Sequence, residues 1–471
     1  MDNKSYLCIV KWNKKTFFKI ISMKNSLFLC LLLAIFFASC EEDTLTNNEP
    51  SKDEPTDIGI PEFFTLPLEE RVFAYSNMNQ LFNTRTIAKG NAVVPLPRED
   101  RSYDDFHYTI GGNSSFTIDD FMQRNLITGL LVIKDGCIQL ERYGMGNDEQ
   151  TQWTSFSVAK SFTSTLIGMA VKDGLIDIEQ PVKTYLPDFE GSDYGNVLVK
   201  HLLQMSSGID WEEDYAGEDN TFMALFRAYA DGNSLQIRQL LSSLKSVCPS
   251  GVRYNYSTGD TTVLGLILRA VLDKETLSAY LSRKVWSRLG MESDAYWVLD
   301  AMDGAEWGGG CISMTLCDEG RFGMFILNDA KIDGSSLLPD NWSTMAYQPD
   351  PNAPHLAYGS LYNEHNSPDY PFLYPLGYGY SWWCLPPTWT DWDELDSEAM
   401  WDDRAIVEPR KDFKHILNTY TAMGICGQYL HINPKENQVT VIWYVREDAE
   451  HDPMDFESFC FIEDITDYLS K

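Results

Sequence analysis

The chain has 471 residues, 44% of them hydrophobic and 13% aromatic, enough apolar material for one large or two smaller folded domains, which excludes a wholly disordered protein. Its formal charge is −32 at pH 7. A surface that acidic repels phosphate backbones, which excludes nucleic acid as a partner.

The N-terminus carries the first element. Residues 27–38, LFLCLLLAIFFA, are uncharged and apolar, too short to span a bilayer comfortably and of signal-peptide h-region length. Lys11, Lys14, Lys15, Lys19 and Lys24 precede the run; Ala38, Ser39 and Cys40 follow it. The string FASC resembles a bacterial lipobox, which implies a signal peptide over residues 1–39 and lipidation of Cys40. A plain secretory signal or short anchor is the alternative. Met23 offers a second start, which would make residues 1–22 an overextended gene start. Residues 41–58, EEDTLTNNEPSKDEPTDI, are too polar to bury a core and read as part of a flexible tether over 40–65, followed by one domain over 66–471. The expected location is the cell envelope, as an outer membrane lipoprotein facing the periplasm or the cell surface and touching the membrane through its lipid only.

Next comes a hairpin signal. GLLVIKDG at 129–136 and CIQLERY at 137–143 flank Asp135-Gly136, a dipeptide suited to a two-residue turn. A helix is predicted from near Ser157 to a stop at Gly174, with Thr154 or Ser155 as candidate caps and Gly168 permitting close packing. Further helices are predicted from near Thr258 and over 276–289. QYLHI at 428–432 and QVTVIWYV at 438–445 flank NPKEN as a second hairpin. The apolar spacing of Phe456, Phe459, Cys460, Ile462 and Leu469 predicts a closing amphipathic helix over 456–469. Element order gives an α+β fold. Its N- and C-terminal hairpins form one antiparallel sheet covered by helices, with a mainly helical subdomain inserted between the halves.

The cysteines beyond Cys40 are Cys137, Cys248, Cys311, Cys317, Cys384, Cys426 and Cys460, an odd number without C-x-x-C, so no disulfide framework is implied, though one bridge stays open. No H-E-x-x-H occurs, and neither a metal site nor any cofactor is expected.

Ser157 and Lys160 form S-x-x-K and share a helix face. At a helix start, free backbone N–H groups and the positive dipole end favour negative charge on an attacking oxygen. Lys160 could take the hydroxyl proton only if neutral. Lowering a lysine from about 10.4 to near 7 costs roughly 4–5 kcal/mol, so the motif must lie in a cleft. Spacing alone is weak: Ser242 and Lys245 repeat it on what reads as a solvated helix face. Context separates the two. Tyr256, Ser257 and Thr258 form Y-x-T before another helix, and GICGQ at 424–428 lets a strand approach a substrate closely.

These three elements in this order resemble the penicillin-recognising serine hydrolases, specifically the class C-like esterase and 6-aminohexanoate-dimer hydrolase branch. The strings LVIKDGCIQLERY, SFSVAKSF, HLLQMSSGIDWEEDY, GVRYNYSTGDTTVLG, WGGGCISMTLCDEGRFGMFILN and GYGYSWW carry the resemblance over roughly residues 125–450. It implies a β-lactamase-like fold, acylation of Ser157, proton exchange by Lys160 and Tyr256, and an oxyanion hole from the N–H groups of Ser157 and Gln428, the latter within one residue. Tyr215 resembles a cleft tyrosine of the nylon-oligomer branch, and Thr258, Ile425 and Gly427 are expected to line the cleft. Two departures matter: Ile425 replaces the usual cation of the third motif, and Thr258 stands where penicillin-recognising members often carry Asn. Both point away from β-lactams and toward a small ester, amide or short peptide. A non-enzymatic envelope protein binding peptidoglycan or peptide fragments, and a D-amino acid amidase or peptidase, are the alternatives.

Three features stay open between function and packing. The acidic segment 386–404, with Trp389, Trp392 and Trp401, reads as a surface insertion or a lid; GYGYSWW at 377–383 as a buried strand or a pocket wall; WGGGC at 307–311 as a turn near the cleft or packing.

Overall fold

Asp135 and Gly136 adopt φ of +52° and +76°, the left-handed pair that a tight two-residue hairpin requires. This turn joins strands Ile127–Lys134 and Cys137–Tyr143. In the computed structural model, which describes residues 63–215, 217, 219–361, 375–389, 410–449 and 452–471, the first of these strands pairs antiparallel with Gln438–Tyr444, Leu131 facing Val441. The expected union of the two hairpins therefore forms.

Numbered along the chain, the strands are β1 (Thr84–Ile87), β2 (Ile127–Lys134), β3 (Cys137–Tyr143), β4 (Trp153–Thr154), β5 (Ala295–Val298), β6 (Ile312–Met314), β7 (Lys331–Ile332), β8 (Ser335–Ser336), β9 (Gly377–Tyr378), β10 (Trp383–Cys384), β11 (Tyr420–Gly424), β12 (Gln428–Asn433) and β13 (Gln438–Tyr444). The main sheet has the order β3-β2-β13-β12-β11-β10-β9. A smaller sheet, β1-β5-β6-β4, assembles from four distant segments.

The helices that position the site are α1 (Leu68–Ser76), α2 (Val158–Lys172), α3 (Thr221–Ala230), α4 (Ser234–Ser243), α5 (Thr258–Val271), α6 (Leu316–Leu327) and α7 (Asp452–Leu469). Both faces of the main sheet are covered. Leu131, Ile133, Leu430, Val439, Val441 and Trp443 share one core with Phe322 and Phe325 of α6. The alternate residues Leu130, Val132, Tyr429, Ile442 and Tyr444 share the other with Phe456, Phe459, Cys460 and Ile462 of α7. That is the period-two alternation of a strand, with apolar residues on both sides. Helix α6 reaches the strands through two glycines. A methyl group at Gly320 would lie 2.6 Å from Leu131 Cδ2, and one at Gly323 2.6 Å from Val439 Cγ1.

Three expectations of the fold need correction. Thr154 and Ser155 cap no helix: Thr154 belongs to β4, and Ser155 Oγ accepts a hydrogen bond from Ile312 N–H at 3.2 Å. The helix expected over 276–289 is a short α-helix, Leu277–Leu281, continued by a π-turn over Ser282–Trp286, where buried Trp286 donates from Nε1 to Ser293 O at 2.9 Å. The tether is expected to reach residue 65, but Phe63 and Phe64 are buried in the core and belong to the folded domain. The small sheet was not anticipated. The signal segment, Cys40 and residues 41–58 lie outside the described residues, as does the acidic segment beyond Trp389. Cys137, Cys248, Cys311, Cys317, Cys384, Cys426 and Cys460 are free thiols.

Candidate active site

Helix α2 is buried from Val158 to Ala170. Its few hydroxyls pin it to two turns. Thr163 Oγ1 donates to Gly308 O at 2.8 Å, Ser161 Oγ to Ser381 O at 2.6 Å, and Ser164 Oγ to Tyr380 O at 2.7 Å. WGGGC and GYGYSWW are thus the braces of this helix. Gly168 meets Trp342 closely: a Cβ there would lie 2.6 Å from the indole. The helix ends before Gly174, whose φ is +74°, as its sequence requires.

Ser157 occupies the N-cap position of α2 without capping it. Its Oγ instead lies 2.8 Å from Lys160 Nζ, and the same Nζ donates to Gly309 O at 2.7 Å. Lys160 is only 2% exposed. Burial pulls its pKa down to about 8, against the opposing charge of Glu213. That shift amounts to on the order of 3 kcal/mol in favour of the neutral amine. The residue before the nucleophile, Phe156, has φ of +43°, a left-handed conformation disfavoured for a side chain of that bulk. Its ring is held edge-on by Tyr75 at 4.9 Å and by Phe63 at 6.4 Å. These rings over-determine the turn that presents Ser157.

Tyr256 lies beside the pair. Its ring centroid is 5.1 Å from Lys160 Nζ, and it stacks on Trp383 of β10 at 5.7 Å. GYGYSWW therefore serves both readings, a buried strand and a support for the site. Ser242 and Lys245 do not form a second site: Ser242 Oγ donates to Gln239 O at the end of α4, and Lys245 is exposed.

A narrow cleft, whose empty space including open solvent is about 280 Å³, opens on Ser157. Tyr215, Thr258 and Ile425 line it as expected, and Gly309, Gly310 and Cys311 of the WGGGC turn join them. Burial pushes the Cys311 thiol up to about 12, so it stays protonated beside Ser157. Gly427 does not line the cavity. Its φ is +83°, and a Cβ there would lie 2.4 Å from Arg446 Nε, whose guanidinium pairs with Asp455 at 2.6 Å. Gln428 is displaced from the cavity as well. It pairs with Gly424 across the β11–β12 turn, accepts from Trp153 Nε1 at 2.9 Å and donates to Tyr444 O at 2.9 Å. The part of the turn that reaches the nucleophile is Gly424, where a Cβ would lie 3.1 Å from Ser157 N, and Ile425 follows it into the cavity wall.

The residue that sequence reasoning missed is Glu213. Its carboxylate accepts from Thr258 N–H at 2.8 Å, Thr258 Oγ1 at 2.5 Å, Trp211 Nε1 at 2.5 Å and Tyr215 OH at 2.9 Å. It ties two cavity residues together at the N-terminus of α5, where the helix dipole favours an anion. Its only signal was membership of the WEEDY string, which does not say which of three acids turns inward.

Comparisons with known proteins agree with this fold. The Beta-lactamase family model matches residues 117–457. A 6-aminohexanoate-dimer hydrolase of Paenarthrobacter ureafaciens is 28% identical over 226 residues, 47% of this chain and 57% of that protein, so the chain spans little more than half the length of this curated relative. A solved Bacillus anthracis structure, provisionally assigned as a 6-aminohexanoate-dimer hydrolase, is similar with a TM-score of 0.71 at 21% identity, over 90% of this chain and 99% of that one. A Bacteroides dorei structure provisionally assigned as a beta-lactamase reaches 0.50 at 18% identity, over 74% and 97%.

Proposed function

This chain belongs to the beta-lactamase family, and from that premise we propose that it is a serine hydrolase that cleaves an ester or amide bond through a Ser157 acyl-enzyme. The observation that carries the reading is the 2.8 Å approach of a buried Lys160 Nζ to Ser157 Oγ beside a half-open, mostly apolar cleft. Neutral Lys160 accepts the hydroxyl proton as Oγ attacks the carbonyl carbon. The oxyanion is held by Ser157 N–H at the start of α2 and, in place of Gln428, by the N–H of Ile425 beside Gly424. Lys160 and Tyr256 return the proton to the leaving group, and water attacks the acyl-enzyme by the same route in reverse. No step calls on a metal or cofactor.

Labelling by a fluorophosphonate tests this. We expect stoichiometric labelling of the wild type and of Ser242→Ala, and none of Ser157→Ala. Labelling that persists in Ser157→Ala overturns the assignment. The name of the Paenarthrobacter relative supports an amide among the candidate substrates, and a panel of acyl esters, aminohexanoate oligomers, D-alanine amides and a chromogenic cephalosporin separates ester from amide preference. A pure binding protein has no use for the Ser157–Lys160 contact, so the enzymatic reading is preferred. We also propose Cys40 as a lipidation site, supported by the FASC string. Incorporation of radiolabelled palmitate that survives Cys40→Ser would refute it.

A further inference from the structure

Two adjacent residues at the start of the described chain do different work around the site. Phe63 packs edge-on against Phe64 at 5.2 Å and lies 6.4 Å from Phe156, the residue that precedes the nucleophile. Phe64, unlike Phe63, lines the cavity, although both rings pack against Phe226. Its ring is 4.9 Å from Phe226, 5.9 Å from Phe222 and 6.1 Å from Tyr215. Phe222 and Phe226 stand one helical turn apart on α3, so their rings share a face. Trp307 closes the wall by stacking on Tyr229 at 4.4 Å, and Ile425 completes it.

We propose that this cavity is the acyl pocket of the proposed hydrolase, that it takes an uncharged apolar acyl group, and that Phe64 is the residue that sets the chain length it accepts. The inference rests on the serine-hydrolase reading and extends it to substrate class. Its cavity-facing residues include several aromatic rings and Ile425 but no lysine or arginine. A carboxylate seated there would lose its water without gaining a cation, which opposes binding strongly. The whole-chain charge of −32 weighs in the same direction. An alkyl chain, by contrast, gains roughly fourfold per buried methylene. Phe64 differs from the other wall residues in origin: it comes from the segment just before α1, while the rest belong to the body of the domain.

The experiment is a p-nitrophenyl ester series from acetate to decanoate, run on the full-length protein with kcat/KM as readout. For the wild type we expect kcat/KM to rise severalfold per methylene to a maximum and then fall. Phe64→Ala, with a larger pocket, is expected to move the maximum to longer chains; Phe64→Trp, with a smaller one, to shorter chains. An ω-carboxylate on the acyl chain is expected to lower kcat/KM at least tenfold. A maximum that stays put in both variants, or ω-carboxy esters turned over as well as their alkyl counterparts, overturns the acyl-pocket assignment while leaving the hydrolase reading standing. Absence of both ester turnover and Ser157 labelling in the wild type overturns the two together.

Discussion

In the proposed mechanism Lys160 is the residue on which the chemistry turns, because its charge decides whether Ser157 can be activated. Burial lowers its pKa to about 8, and Glu213 opposes that effect. Below that pH the amine is protonated and cannot take the serine proton; above it the neutral form dominates. We therefore expect kcat/KM to rise with pH through a limb near 8. In Glu213→Gln the negative charge is lost, Lys160 is easier to deprotonate, and the limb should move to lower pH. Loss of rate with the limb unmoved would assign Glu213 a purely structural part. Ser157, Lys160 and Tyr256 were legible in sequence because a motif spacing and a helix start are local properties. Glu213 was not, since its neighbours Glu212 and Asp214 have the same chemistry and only the tertiary fold selects one. The oxyanion N–H expected from Gln428 is proposed at Ile425 instead, because left-handed Cys426 and Gly427 curl the turn and position in the string does not translate into position in space.

At the scale of elements, helix α6 is the one most tightly fitted to the sheet. In Gly323→Ala the new methyl would meet Val439 Cγ1 at 2.6 Å and Leu430 Cδ1 at 2.8 Å, both from central strands that cannot retreat. A destabilisation of about 1–3 kcal/mol is expected in denaturant unfolding. The same helix carries a fully buried acid. Glu319 accepts from Trp443 Nε1 at 2.7 Å, and burial pushes its pKa up to about 8. The folded protein thus holds a proton that the unfolded chain releases near pH 4. Its stabilising effect is complete below that range and is lost as pH rises through 8. Glu319→Gln should therefore raise the melting temperature at pH 9 more than at pH 5. The long hairpins and the C-terminal helix were readable from periodicity and from Asp135-Gly136. The small sheet was not, because strands of two to four residues from distant segments carry no periodic signal.

Over the whole molecule, two buried rings near the start of the described residues belong to the fold. A chain starting at residue 66 loses Phe63 and Phe64, and with them a wall of the cavity and a prop of Phe156. Compared with a chain starting at Asp57, it should unfold at lower denaturant, by at least about 3 kcal/mol, and hydrolyse esters more slowly. Composition suggests a polar tether but cannot show that Phe63 and Phe64 belong to the core, since IPEFFTLPL reads equally well as linker or as core. The heart of the sheet has a further consequence. Strand β2 is complete by residue 134, yet its partner β13 begins at residue 438. At ribosomal speeds of roughly 5–20 residues per second, the first hairpin waits on the order of tens of seconds with an unpaired apolar edge. Association through that open edge before β13 arrives is then a route by which folded protein is lost, whether the chain emerges from a ribosome or across a membrane.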